Sequence, residues 1–248
     1  MTQSPQLTAI SPEKFSGKAW RRYSNYAFAA GENLILLVAA ELANAVPTMP
    51  LGFVQSGEGF QLVAVTALQS GANLFVAPDG RWLGAYVPAA LRGYPFRLVK
   101  LQDRADSILC IDEASGLVVE AGQGETFFDE DGRPSKALRD VLELLSQVER
   151  SRMATQAVVD ALAAASLVQP WPLSMKKGEQ NVPVTGLYRI DFKIMEISGG
   201  DIIVGLLLPF LPLFRPEPSL IPGHLDRRDG YQTGDSIFDP DVDFVARF

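Results

Sequence analysis

What most restricts the fold of this chain is a series of short β-prone runs between Leu51 and Ile111 that no helical crossover interrupts. The runs Leu51 to Val54, Phe60 to Ala64, Leu74 to Val76, Trp82 to Val87, Phe96 to Leu101 and Ile108 to Ile111 are short, with β-branched or aromatic residues, and are separated by Gly, Pro, Asp or Ser clusters. Such clusters turn a chain, so neighbouring runs close on each other as antiparallel pairs. A parallel pair needs a crossover of about a dozen residues or more, usually a helix. None alternates with these runs, and the spacing predicts a bent, meandering, mainly antiparallel sheet rather than a doubly wound parallel one.

Helical patterns lie on either side. The run LILLVAAELANAV after Asn33 is rich in Leu and Ala, carries Glu41 as its one acid and stops at Pro47, which predicts a largely buried helix. Glu41 has no second titratable group on its helical face, so it reads as a partly exposed or hydrogen-bonded carboxylate rather than a catalytic one. After Pro134, Leu138, Val141, Leu142, Leu145 and Val148 recur at three- and four-residue intervals behind a Ser135 cap. The charged break Glu149-Arg150-Ser151-Arg152 separates them from Val158, Val159, Leu162 and Ala165, a second helix ending before Pro170. Two such amphipathic helices most simply cover one face of the sheet. A hairpin follows, with arms near Leu173 to Lys176 and Val184 to Ile190 and a turn at Gly178 to Asn181. The predicted architecture is α+β: a bent, mainly antiparallel sheet under a helix pair. It divides into an N-terminal arm over 1–32, a folded domain over 33–204 and an extended, proline-rich C-terminal arm over 205–248.

Several function classes lose support on composition and motif. A hydrophobic share of 47% with 21% charged residues is that of a chain with a sizeable core. A formal charge of −7 opposes a nonspecific grip on phosphate backbones, and the basic spots Trp20-Arg21-Arg22-Tyr23 and Met175-Lys176-Lys177 are short. The single His224 lies in a loop-like segment and no Gly-x-Ser-x-Gly elbow presents a nucleophile, which speaks against triad hydrolysis. Cys110 sits among Ile108, Leu109 and Ile111 and reads as an inert core thiol; being the only cysteine, it has no disulfide partner in the chain. Gly116, Gly122 and Gly124 form no dinucleotide fingerprint, and no Walker loop exists. No cofactor is called for. The acidic sets Asp129-Glu130-Asp131 and Asp235, Asp239, Asp241, Asp243 do not match the EF-hand pattern, so Asp239, Asp241 and Asp243 stand as weak calcium candidates against the reading of a solvated turn.

Two apolar features lie near the end of the sequence. The run Ile202 to Phe214 (IIVGLLLPFLPLF) is too short and too proline-broken to span a membrane, and reads as a buried segment or a subunit contact. Beyond it Phe238, Val242, Phe244, Val245 and Phe248 interleave with acids, a pattern suited to docking along a neighbour's groove or sheet edge, or to folding back on the chain's own body. Leu208, Phe210, Leu211, Phe214, Phe244 and Phe248 are the candidate assembly residues. The N-terminus shows no positive segment followed by an apolar one, so the chain is expected to be made in the cytoplasm and to reach a surface or particle, if it does, by a nonclassical route.

The densest signal is Asn73 to Phe96, NLFVAPDGRWLGAYVPAALRGYPF. It joins a strand pattern, a Pro78-Asp79-Gly80 turn and an arginine-aromatic cluster of Trp82, Tyr86, Arg92, Tyr94 and Phe96. With Ile111-Asp112-Glu113, the turn Phe127-Phe128-Asp129-Glu130-Asp131-Gly132-Arg133-Pro134 and Gly186-Leu187-Tyr188-Arg189-Ile190-Asp191, it resembles the bacterial SapC family, named after a surface-layer-associated gene product. The resemblance runs from about Asn33 to about Ile197. It implies a noncatalytic structural or accessory subunit of a protein assembly, a surface layer or another proteinaceous shell such as a virion, with self-association or neighbouring subunits as partners. The alternative is a cytoplasmic module that holds a peptide or small acid against Trp82, Tyr86, Arg92, Tyr94 and Phe96, since guanidinium and aromatic groups dominate recognition hot spots. The same residues also read as ordinary core and turn capping.

Overall fold

Antiparallel strand pairing, not helical periodicity, organises the first half of the chain. The computed structural model describes residues 5–100, 107–177 and 179–190, with Lys177 described by its backbone alone. The expected turn residue Gly178, the run Ile202 to Phe214, the assembly candidates Leu208, Phe210, Leu211, Phe214, Phe244 and Phe248, and Asp239, Asp241 and Asp243 lie outside those residues. The strands are β1 (Leu7–Ala9), β2 (Lys18–Trp20), β3 (Leu34–Leu36), β4 (Leu51–Ser56), β5 (Gly59–Val65), β6 (Phe96–Lys100), β7 (Ser107–Asp112), β8 (Val118–Glu120), β9 (Glu125–Thr126), β10 (Val168–Pro170), β11 (Leu173–Lys177), β12 (Gln180–Val184) and β13 (Leu187–Ile190). Three helices have a single turn, α1 (Pro12–Phe15), α2 (Leu42–Ala45) and α3 (Ala89–Arg92); α4 (Lys136–Ala164) runs for 29 residues.

All pairings among the named strands are antiparallel, as expected, but they form four sheets rather than one bent sheet. The largest has the order β10-β13-β4-β5-β3; the others are β1-β7-β6, β8-β2-β9 and the hairpin β11-β12. The runs Leu74 to Val76 and Trp82 to Val87 are not strands. They meet in one isolated bridge, Val76 to Trp82, across a tight turn in which the Asp79 carboxylate accepts the Arg81 N–H at 3.0 Å; just before the first run, the Asn73 side-chain oxygen accepts the Phe75 N–H at 2.9 Å and its amide donates to the Ala29 carbonyl at 3.0 Å.

The helix expected after Asn33 opens as a strand and turns helical only in its second half. Leu34, Ile35 and Leu36 pair with Val65, Ala64 and Val63, and Ile35 is 4% exposed while Leu36 is 46% exposed. Helical propensity yields here to a sheet edge that buries one side of the run. Helix begins only at Ala39, as a 3-10 turn over Ala39–Glu41 that leads into α2.

The expected helix pair is one helix. Glu149, Arg150 and Arg152 propagate helix well, and nothing in the break removes a backbone donor; Arg152 closes an i,i+3 pair on Glu149 at 2.6 Å inside it. The two apolar stripes were two cores met by one rod. Leu138 and Val141 pack with Phe15, Trp20, Phe96, Ile111 and Phe127, whereas Val159 and Leu162 pack with Ile35, Leu42 and Phe53 under the five-stranded sheet. Ser135 caps the start, accepting the Leu138 N–H at 3.2 Å. The hairpin is also displaced. Its second arm is β12, and the Leu187 to Ile190 stretch instead joins β4 and β10.

The start of the chain, expected as an arm, is built into the second core. β1 pairs with β7, β2 lies between β8 and β9, and Phe15 and Trp20 are 0% and 2% exposed. Aromatic residues bury the most apolar area per residue, so Phe15, Trp20, Phe96 and Phe127 dominate this small core. Phe15 and Phe127 lie 4.8 Å apart, and Trp20 meets Phe96 edge to face at 4.7 Å.

Candidate functional site

The site grows from a buried carboxylate. Glu41 is 4% exposed at the end of the 3-10 turn, where its Oε2 accepts the Val38 N–H at 3.1 Å. Its Oε1 accepts the Ala89 N–H at 2.6 Å and the Tyr86 hydroxyl at 2.8 Å. A carboxylate held by several donors fixes the groups that surround it. Glu41 therefore ties the start of α2 to the start of α3, 48 residues later in the chain. Arg92, the last residue of α3, completes the set, with Nη2 3.2 Å from the Tyr86 hydroxyl, to which it donates, and 3.9 Å from Glu41 Oε1. Its guanidinium also lies 5.7 Å from the Tyr86 ring centroid.

One side of Arg92 faces this anchor, and the residue also lines a pocket of about 260 Å³ shared with Trp20, Arg22, Tyr23, Gly93, Tyr94, Phe96 and Val141. β2, β6, α3 and α4 thus meet at this pocket. Arg92 keeps 43% of its side chain exposed, enough to meet an incoming anion. Arg22 is engaged at its other end, with Nε and Nη2 on the two Glu125 oxygens at 2.6 and 3.2 Å, and its guanidinium lies 5.4 Å from the Trp20 ring centroid. Arg97, exposed next to Phe96, makes no ion pair among the described residues. The indole N–H of Trp20 is buried and has no acceptor among the described residues. A buried donor without a partner costs about 1–3 kcal/mol.

Beside the pocket runs an aromatic surface. Phe28 stacks on Tyr94 at 3.8 Å with the rings 4° apart, Tyr23 meets Phe28 edge to face at 5.2 Å, and Tyr26 leads to Trp82 at 5.6 Å and on to Phe75. These side chains are half-buried, and Leu74 and Leu83 project beside them, 49% and 58% exposed. Burial first, then the Glu41 hydrogen bond and charge, pushes the Tyr86 hydroxyl up to about 12. Tyr23 rises to about 12 as well, by burial first and then the neighbouring Tyr26, and burial raises Tyr94. All three hydroxyls are therefore neutral donors at neutral pH.

The five residues singled out in sequence divide into two roles. Arg92, Tyr94 and Phe96 line the pocket, Phe96 as its buried base at 2% exposed. Trp82 and Tyr86 belong to the anchor, the Trp82 indole N–H donating to the Tyr86 carbonyl at 2.7 Å. Trp20, Arg22 and Tyr23 supply the opposite wall. Their run of aromatics around two arginines was visible as a basic spot, but nothing local to it shows that β2 is brought beside β6. Glu41 has the hydrogen-bonded character expected of it, with partners that only the fold assembles. Cys110 is buried and burial raises its thiol, which agrees with an inert core residue. Among the described residues no three His, Cys, Asp or Glu side chains cluster as a metal site, and no helix is long and apolar enough to cross a membrane.

A protein-family model described as SapC matches residues 10–198. The match begins upstream of the resemblance drawn from Asn33 onward, and so takes in β2 and the Trp20, Arg22 and Tyr23 wall. No curated protein and no solved structure matches the chain.

Proposed function

The chain belongs to the SapC family, matched over residues 10–198, and from that premise we propose that it is a noncatalytic accessory protein that works by recognition, holding an acidic, aromatic-bearing segment of a protein partner in the Arg92 pocket. The observation that carries this reading is a half-exposed guanidinium, braced from behind by a buried carboxylate, at the mouth of an aromatic-walled pocket. Bracing matters because a long side chain fixed before binding loses less entropy when a ligand arrives.

Size selects the ligand class. Pockets for drug-sized molecules hold about 300–1,000 Å³, and about 260 Å³ suits one side chain with a neighbouring carboxylate. The half-buried aromatics and exposed Leu74 and Leu83 extend the contact outward, in the mixture of aromatic and arginine residues that hot spots favour. A second reading, a subunit or accessory of a surface layer or other protein shell, is supported by that same apolar extension and by the family. Both readings place a protein partner on this face.

The test is equilibrium binding of a fluorescent peptide alternating aspartate and phenylalanine, with a lysine and phenylalanine peptide as control. The acidic peptide binds, weakens as salt rises, and loses at least about tenfold in Arg92→Gln, the loss of one charge-assisted contact worth roughly 1.5–3 kcal/mol. Equal binding of the basic peptide, or full binding by Arg92→Gln, defeats the reading.

A further inference from the structure

We infer that the first occupant of the Arg92 pocket is the chain's own segment Asp235 to Phe248, which docks back on the body that carries it and competes with any partner. This rests on the recognition reading above and names the ligand of the same site. The pocket asks for a carboxylate close to an aromatic ring. Outside the described residues, acids and aromatics are densest in SIFDPDVDF, where Asp239, Asp241 and Asp243 fall between Phe238 and Phe244.

Charge directs the segment to this face. The chain carries a formal charge of −7, so an acidic stretch is repelled by the body on average and gains only where cations gather. Around the pocket they do. Arg22 and Arg92 line it; Arg22 is already offset by Glu125 and Asp140, whereas Arg92 is 43% exposed and reaches Glu41 only at 3.9 Å, so an added aspartate would gain at Arg92.

Reach and concentration favour the intramolecular contact. Residues 191–234 lie between the end of β13 and the segment. Even as a random coil a chain of that length spans about 35–40 Å, against a radius of gyration near 16 Å for a body of this size. A ligand tethered in this way sees its site at an effective concentration of the order of 1 mM, far above that of most free partners. A docked segment of about 0.1 mM intrinsic affinity then weakens a competing ligand about tenfold.

The experiment uses the full chain and the aspartate and phenylalanine probe peptide. In one variant Asp239, Asp241 and Asp243 become Asn and Phe238 and Phe244 become Ser; in another Arg92→Gln is added to these changes. The first variant should bind the probe about tenfold more tightly than the wild type, and the second should lose that gain. If the first variant binds no better than the wild type while Arg92→Gln still weakens the wild type, the segment does not occupy the pocket, and the recognition reading survives alone. If no version binds the probe, the recognition reading falls and takes this inference with it. A wild-type mass that grows with concentration and reverts in the first variant would place the contact between copies and overturn the intramolecular form.

Discussion

Removing the Glu41 carboxylate should cost more stability than almost any other single change near the site. Glu41→Ala leaves the Val38 and Ala89 N–H groups without acceptors, and both residues are buried, at 6% and 2% exposed. Each stranded donor costs about 1–3 kcal/mol. The Tyr86 hydroxyl and Arg92 are partly exposed and can turn to water, so they add little. Against this, the mutant no longer buries a charge, and the net for breaking a buried charged network is about 3–5 kcal/mol. Glu41→Gln separates the terms. Its carbonyl can still accept from Ala89 and Tyr86, but its NH2 then faces the Val38 N–H, one donor against another, for about 1–3 kcal/mol. Tyr86→Phe should cost about 1 kcal/mol alone and much less in the Glu41→Ala background, since the lost bond is the same one. Urea unfolding followed by tryptophan fluorescence gives all of these values. Stabilities for both Glu41 variants within about 0.5 kcal/mol of the wild type, or Glu41→Gln the worse of the two, would refute the claim that this carboxylate braces the site.

Other expectations follow from the same geometry. Ser166 adopts φ 57° just past the end of α4, where its N–H and that of Leu167 donate back to the Ala163 and Leu162 carbonyls. Ser166→Gly should therefore stabilise by about 1 kcal/mol in the same urea assay, and a loss of stability would contradict it. Gly124 lies against the Trp20 backbone, where an added methyl would run into the Trp20 carbonyl; Gly124→Ala should destabilise by at least about 1–3 kcal/mol and weaken probe binding, because β2 must shift. Tyr23 and Tyr86 ionise near pH 12 in the folded state, so a spectrophotometric titration should show delayed tyrosines. Unfolded tyrosine releases its proton near pH 10, so the contribution of these hydroxyls is complete below that pH and is lost as pH rises from about 10 to 12. Flat stability over that window would count against the buried hydroxyl network.

The parts of this fold legible in sequence are those decided locally. The β4 to β5 and β6 to β7 hairpins, the Ser135 cap and the antiparallel character came from short β-branched or aromatic runs and turn residues that act within a few positions. Where long-range burial decides, the pattern misleads. LILLVAAELANAV has helical propensity throughout, yet Leu34 to Leu36 complete a sheet edge because Val63 to Val65 offer them paired backbone groups. The two apolar stripes of α4 look like two helices, since a sequence does not show that one rod serves two cores. The site divides in the same way. Arg92, Tyr94 and Phe96 stood out by composition, but the wall of Trp20, Arg22 and Tyr23 and the Glu41 brace depend on contacts across as many as 103 and 48 residues of chain.

The central claim, that the Arg92 pocket receives an acidic, aromatic segment, is tested most directly by the indole resonances of Trp20, Trp82 and Trp171 in a nitrogen-proton correlation spectrum. Trp20 lines the pocket, Trp82 belongs to the anchor, and Trp171 packs against Gly52 on the face of the five-stranded sheet opposite α4. The account predicts that titrating the probe peptide into the variant with Asp239, Asp241 and Asp243 changed to Asn and Phe238 and Phe244 to Ser moves the Trp20 resonance and leaves Trp171 in place, and that once Arg92→Gln is added neither resonance moves. A Trp20 resonance that stays fixed at saturating peptide, or moves no more than that of Trp171, would contradict it.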